Sequence, residues 1–225
     1  MNDIILTGSS RGLGHSLFML LSRMDNTRVS VVGRRFSAEE EQEAYSCIHW
    51  DLTEPNHMPS IKPQQFIDTE SLVFINNAGT VEPIGEIGTL SDELLQQAAQ
   101  VNFISPMMFC NQLVKLCRER HIKLKIVNIS SGAANYAIAG WAAYCATKAA
   151  FKMFLDVLSE QYKGSEDAEV VHVDPGIMDT GMQEQIRSVD EKAFPRLSEF
   201  RAYHANGKLR APDDVAQEIL RKYII

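Results

Sequence analysis

Ile4-Ile5-Leu6-Thr7-Gly8-Ser9-Ser10-Arg11-Gly12-Leu13-Gly14 joins a short apolar run to a glycine-rich turn, and a helical pattern through Leu17, Leu20 and Leu21 comes directly after it. A strand that passes through glycines into a helix is the opening of a βαβ nucleotide-binding unit. The glycines let the backbone turn tightly and approach a pyrophosphate, which rests on the positive N-terminus of the helix. The spacing is G-x-x-x-G-x-G, not the commoner G-x-G-x-x-G. Gly8, Ser10, Arg11, Gly12, Leu13 and Gly14 are therefore the candidate phosphate-turn residues.

Outward from this turn, apolar runs recur at Val29–Val32, Cys47–Trp50, Leu72–Ile75, Ile126–Ile129 and Val170–Val173. Short, nearly continuous apolar runs suit parallel strands covered on both faces. Helical patterns at about 11–24, 91–118, 144–162 and 213–223 alternate with them, which indicates right-handed βαβ units. The expected fold is α/β, a single Rossmann-type doubly wound parallel sheet of six strands in one domain over 1–225. Residues 53–70 hold Pro55, Pro59 and Pro63, which argues against a full covering helix. The polar stretch 177–210, with Pro195 and Gly207, reads as a substrate-binding loop with short helices after the sixth strand.

Composition excludes several classes. With 29 acidic and 22 basic side chains the net charge is −7, which argues against nucleic acid or an anionic membrane as partner. No apolar run reaches the ~18 residues of a membrane span, and Met1-Asn2-Asp3 lacks the basic flank of a signal peptide. Cys47, Cys110, Cys117 and Cys145 show no metal or redox spacing. No metal site and a cytoplasmic location are expected.

The residues just after the second strand decide the cofactor. An NAD site places an acidic residue there for the ribose 2′-hydroxyl. Here Gly33 is succeeded by Arg34 and Arg35, with Arg11 in the glycine turn. Guanidinium groups grip a 2′-phosphate through paired hydrogen bonds, so NADP(H) is expected.

Tyr144 and Lys148 lie four apart in a helical pattern and share one face. An ammonium beside a phenol stabilises phenolate, so Lys148 is expected to lower the Tyr144 pKa and make it a general acid. Asn128-Ile129-Ser130-Ser131 closes one strand and Asn76-Asn77-Ala78-Gly79 another. Asn102 lies in the helical stretch between them, and Asp174-Pro175-Gly176 closes the sixth strand before Thr180.

In this order the motifs resemble the short-chain dehydrogenase/reductase family from about Asn2 to Asp214. The stretches Gly140–Lys148 and Pro175–Gln183 look like its sepiapterin reductase branch. Ile75–Val81 and Met182–Ser188 are similar to the benzil reductases of that branch. The resemblance implies an NADPH-dependent reductase of ketones or 1,2-diketones, with Tyr144 the proton donor and Lys148 tuning it and holding the nicotinamide ribose. It assigns Ser131 to the substrate carbonyl and Asn102 to a proton relay. Asp51 and Leu52 would touch the adenine, Asn77, Ala78 and Gly79 would wall its pocket, and Pro175, Gly176, Ile177 and Thr180 would hold the nicotinamide. Family members usually carry a seventh strand, which is short or missing here, together with the acidic residue near it that anchors a pterin.

Trp141, Tyr136, Val81, Ile177, Met178 and Met182 are candidates for an apolar substrate pocket. The 144–162 helix is apolar over more than one stripe, which suggests a homodimer through the 91–118 and 144–162 helices. Pterin reduction and a non-catalytic NADPH-binding regulator are the alternatives.

Overall fold

The computed structural model describes residues 1–61 and 66–224. Pro63, one of the three prolines expected to break a helix, lies outside the described residues, as does Ile225. The elements in chain order are β1 (Asn2–Thr7), α1 (Gly12–Leu21), β2 (Thr27–Gly33), α2 (Ala38–Glu43), β3 (Ser46–His49), β4 (Ser71–Asn76), α3 (Asp92–Ala99), α4 (Ser105–Arg120), β5 (Lys123–Ile129), α5 (Ala142–Gln161), β6 (Ala168–Val173), α6 (Gly181–Ser188), α7 (Leu197–Ala205) and α8 (Pro212–Ile219). All strands pair in parallel, in the order β3-β2-β1-β4-β5-β6. The order reverses between β1 and β4, so a crevice opens beyond their C-terminal ends, where Gly8 and Asn77 begin their loops.

Strand alternation divides the core in two. Ile5, Val32, Phe74, Leu124 and Ile126 face Phe109 and Leu113 of α4 and Phe151 and Leu155 of α5. Ile4, Leu6, Val31, Ile75 and Val127 face Leu17, Phe18 and Leu21 of α1 and Val215 and Ile219 of α8. Full burial of each such side chain contributes about 1.5–3 kcal/mol, and both layers grip the strands whose ends carry the site. A third, smaller core joins Val81, Trp141, Tyr144, Ile186, Phe194, Leu197 and Phe200, which places α6 and α7 over the start of α5.

Three expectations need correction. The continuous helix over 91–118 is broken by a π-helical turn at Gln100–Ile104, where the Ser105 N–H donates to the Gln100 carbonyl. Pro106 supplies the reason: it has no N–H to donate to the carbonyl four residues back, that of Asn102, so the α pattern cannot run through. Second, α2 was not anticipated. Ser37 caps it, accepting from the Glu40 N–H while the Glu40 carboxylate accepts from the Ser37 N–H. Third, the catalytic-pattern helix starts at Ala142 rather than 144.

On α5, Phe151, Leu155 and Leu158 are buried, but Met153 and Val157 remain 63% and 53% exposed. Among the described residues no helix is long and apolar enough to cross a membrane.

Candidate active site

The glycine turn is built around Asn77. Its Nδ2 donates to the Gly8 carbonyl at 2.9 Å and to the Thr7 carbonyl at 3.2 Å, while Thr7 Oγ1 accepts from the Asn77 and Ala78 N–H groups, both at 3.1 Å. A Cβ on Gly14 would lie 1.9 Å from the Gly8 oxygen and 2.4 Å from Asn77 Nδ2. Gly8 has φ +72°, and a Cβ there would lie 2.9 Å from Ala78 Cα. No side chain fits at either place, so the turn packs as bare backbone against Asn77 and Ala78, with the start of α1 held close to β1. Leu13 is buried among core side chains and can offer only its backbone. Gly12 faces Thr180, whose Cγ2 is 3.2 Å from the Cβ position.

At the far end of the crevice, Asp51 accepts from the Thr53 N–H and hydroxyl, both at 2.9 Å, and its other oxygen is 3.7 Å from Arg34. The carbonyl of neighbouring Leu52 accepts from Ser105 Oγ at 2.7 Å. Arg34 and Arg35 are exposed. Arg11 points elsewhere: its guanidinium lies against Gly181, 3.6 Å from the Cβ position, at the start of α6.

Two of the residues with expected chemical roles, Asn102 and Lys148, meet at Gly79. A Cβ on Gly79 would sit 3.2 Å from Asn102 Oδ1 and 3.7 Å from Lys148 Nζ. Asn102 stands in the π turn, buried, with Nδ2 donating to the Thr80 carbonyl at 2.8 Å and Oδ1 accepting from the Thr80 N–H at 2.8 Å. Its Nδ2 also donates to Thr147 Oγ1 at 3.1 Å, which ties the π turn to α5. The break caused by Pro106 thus holds this amide in place. Lys148 Nζ donates to the Ile129 carbonyl at 2.9 Å and lies 5.8 Å from the centroid of the Tyr144 ring. Ser131, beyond the end of β5, accepts from the Ala133 N–H at 3.2 Å, and its side chain acts on the Tyr144 phenol by lowering its pKa.

The electrostatics reverse one expectation. Burial pushes the Tyr144 phenol up to about 12; the Ser131 hydrogen bond lowers it, and Asp174 and Cys145 raise it further. Burial also takes Lys148 down to about 8. Desolvation is the leading cause of both shifts and penalises both charged forms, and Lys148 does not bring the phenol down. Tyr144 is therefore a neutral phenol at neutral pH, not a poised phenolate.

The expected substrate residues separate. Trp141 stacks on Phe194 at 4.9 Å and meets Tyr144 edge-on at 5.6 Å, with Met182 packed against the same cluster. Val81 is fully buried there, while Tyr136 is exposed. Met178 does not join them: it bridges to Arg210 and packs on the α1–α8 side of the sheet. Trp141 Nε1, Gln183 Oε1 and Arg187 Nη1 are buried without a hydrogen-bond partner among the described residues.

Arg210 was missed from the sequence. Its backbone exchanges hydrogen bonds with the 177–179 loop, accepting from the Asp179 N–H and donating to the Ile177 carbonyl, both at 3.0 Å. Its guanidinium donates to the Pro175 carbonyl at 3.2 Å and to Glu218 of α8 at 2.5 Å. The loop expected to hold a nicotinamide is thereby clipped to α8. An arginine 30 residues downstream carries no motif that would have revealed this.

A family model described as short chain dehydrogenase matches residues 2–191. The chain belongs to the short-chain dehydrogenase family. Members bind a nicotinamide cofactor and act on C=O or CH–OH groups. Among its relatives, benzil reductase ((S)-benzoin forming) of Bacillus cereus is 33% identical, covering 97% of this chain and 92% of the relative. The protein of the same description from Bacillus subtilis is 30% identical, covering 98% and 92%. A solved structure, that of the KRED1-Pglu enzyme, superposes with a TM-score of 0.83 at 26% identity, covering 100% of this chain and 97% of the other. The family's cofactor fits the observed crevice, because the bare-backbone cradle at Gly8 and Gly14 and the N-terminus of α1 supply what a pyrophosphate needs.

Proposed function

We propose that this chain is an NADPH-dependent carbonyl reductase of ketones and 1,2-diketones, similar in activity to the benzil reductases. The observation that carries the reading is the buried pair of Tyr144 and Lys148, with the lysine Nζ 5.8 Å from the centroid of the phenol ring and fixed on the Ile129 carbonyl.

When bound, the nicotinamide supplies a hydride. Every other requirement falls on this chain. Gly8, Ser10, Arg11, Gly12, Leu13 and Gly14 cradle the pyrophosphate, with Asn77, Ala78, Gly79, Asp51 and Leu52 around the adenosine half. Pro175, Gly176, Ile177 and Thr180 seat the nicotinamide end, held by the Arg210 clip. Arg34 and Arg35 take the 2′-phosphate, and Arg34 exchanges its Asp51 contact for it. Ser131 and Tyr144 donate to the carbonyl oxygen as negative charge grows on it. Tyr144 then gives up its proton, and Lys148 stabilises the phenolate left behind. Asn102, fixed by Thr80 and Thr147, lies beside Lys148 to lead a replacement proton inward.

A phenol raised by burial to about 12 is protonated at neutral pH and so is loaded for donation to a carbonyl oxygen. Trp141, beneath α6 and α7, and Met182, on α6 within the 177–210 substrate loop, contact the substrate, and Met178 supports that loop from the other side of the sheet. The exposed Met153 and Val157 on α5 support a homodimer through α5 and the α3–α4 helices. The four free thiols suit the reducing cytoplasm.

The test is NADPH oxidation tracked at its absorbance band with benzil, an aliphatic diketone and sepiapterin in parallel. Turnover of benzil that Tyr144→Phe abolishes supports the proposal. Preference for sepiapterin moves it to the pterin branch. NADPH binding without turnover of any carbonyl refutes it in favour of a regulatory binder.

A further inference from the structure

On the α5 side of the sheet, the rungs across β4, β5 and β6 read Leu72, Leu124, Ala168 and then Phe74, Ile126, Val170, all in register and apolar. The next rung breaks the pattern. Asn76, Asn128 and His172 stand in register, the two asparagines buried and His172 half-buried. Polar side chains in such a place cost stability unless each is bonded. Here they form a chain: Asn76 Nδ2 donates to Asn128 Oδ1 at 3.2 Å, and Asn128 Nδ2 faces His172 Nδ1 at 3.2 Å. His172 Nε2 meets Asp156 Oδ1 of α5 at 3.0 Å, and Asp156 Oδ2 accepts from Lys152 Nζ at 2.8 Å.

The chain ends on the catalytic helix, where Tyr144, Lys148, Lys152 and Asp156 are spaced at four-residue steps. Helix α5 is thus tied to the top of the sheet twice, by Lys148 on the Ile129 carbonyl and by Asp156 on His172. The residue between these ties on β5 is Asn128, immediately before Ile129 and three before Ser131.

The direction of the hydrogen bonds depends on one proton. A neutral His172 accepts from Asn128 at Nδ1 and donates to Asp156 from Nε2, so every donor points from Asn76 towards Asp156. A protonated ring donates from both nitrogens, and its Nδ1–H then meets the Asn128 N–H. Restoring the bonds would require Asn128 to turn its amide over, and then Asn76 as well, reversing the ladder beneath Lys148 and beside Asn77.

We propose that His172 is a positioning residue for Lys148, coupling Asn128 at the end of β5 to Asp156 on α5 only while its ring is neutral. It acts through Asn128 and Asp156 and does not reach substrate. The charged groups facing the ring are Asp156 and Lys152, both from α5; β5 presents only the Asn128 amide, and β6 is an edge strand. Burial holds His172 below the ordinary histidine value, against the opposing pull of Asp156, so the neutral form prevails at neutral pH and is lost on acidification.

The inference rests on the proposed reductase activity, and its test separates the two. The kcat for carbonyl reduction is measured between pH 5 and 8 in wild type, His172→Gln and Asp156→Asn, while NMR monitors the His172 ring titration. In wild type kcat should fall on the acid side, approaching about tenfold per pH unit, at the midpoint of the ring titration, with KM for NADPH nearly unchanged. His172→Gln keeps a donor for Asp156 but cannot titrate, and should lose that acid limb. Asp156→Asn removes the group that favours the charged ring and should move both midpoints to lower pH. An acid limb unchanged in His172→Gln, or a lower melting temperature as the sole effect of the substitutions, overturns the proposal. If wild type reduces no carbonyl, the function fails by itself, and the titration of Lys148 Nζ observed by NMR decides the inference. A second inflection of that signal at the His172 midpoint, absent from His172→Gln, supports it, and a signal with no inflection at that midpoint overturns it.

Discussion

Replacing Lys148 by methionine removes a fully desolvated ammonium and leaves a side chain of similar length and volume in its place. Burial brings the lysine from 10.5 in the unfolded chain to about 8 in the fold. That displacement corresponds to about 3 kcal/mol of folding free energy lost at pH 7, where the native state must carry the charge without water. The sign comes from proton counts. Between the two pKa values the unfolded chain binds more protons than the native state, so stability rises with pH through this window. Roughly three quarters of the penalty should be relieved by pH 10. Against this stands the hydrogen bond from Nζ to the Ile129 carbonyl, a charged-donor bond contributing about 1.5–3 kcal/mol in general. Burial is the cause of that shift, so the bond is lost in addition and offsets about 1.5–3 kcal/mol of the gain. Lys148→Met should therefore be at least as stable as wild type at pH 7, by up to about 1.5 kcal/mol, while its carbonyl reduction falls to background. Denaturant unfolding at pH 7 and pH 10 checks both the sign and the slope. A variant less stable than wild type at pH 7, or an advantage that does not shrink by pH 10, would refute the account of Lys148 as a strained catalytic charge.

Gly14→Ala should abolish NADPH binding and cost on the order of 1–3 kcal/mol of stability, because its Cβ has no room beside the Gly8 oxygen; fluorescence titration and a melting curve measure the two effects. Arg34→Ala should weaken NADPH by about tenfold or more and leave NADH nearly unchanged, as titration of both cofactors would show. Trp141→Ala empties the centre of the α6–α7 roof and should cost about 3–5 kcal/mol in denaturant unfolding. Trp141→Phe, which also removes an unpartnered buried N–H, should cost far less in the same measurement.

The parts of this protein legible in its sequence are those where residue type alone limits the backbone. Gly8 and Gly14 could be read as a phosphate turn because no other residue fits there. The six apolar runs could be read as strands because covered parallel strands have no polar face to show. Pro106 lay in plain view within 91–118, but its effect is a missing N–H opposite Asn102, and periodicity averages over a single missing bond. Likewise the Ser37–Glu40 capping pair was present to be read, on a helix too short to show a period.

The charges behaved differently, because spacing gives proximity and says nothing of solvent. Four residues apart on a helix, Tyr144 and Lys148 suggest an ammonium that acidifies a phenol. The fold instead buries the phenol against Trp141, which Phe194 and Phe200 back from the 177–210 region whose mixed polarity hid them. Once both groups are dry, the cost of carrying either charge dominates, and the phenol rises while the ammonium falls. The same reasoning explains why the polar rung at Asn76, Asn128 and His172 has its meaning only in the fold. Each residue alone ends a strand, and register alone turns three strand ends into a chain leading to Asp156. The candidate site residues were thus carried by local motifs, whereas their protonation states are properties of tertiary burial.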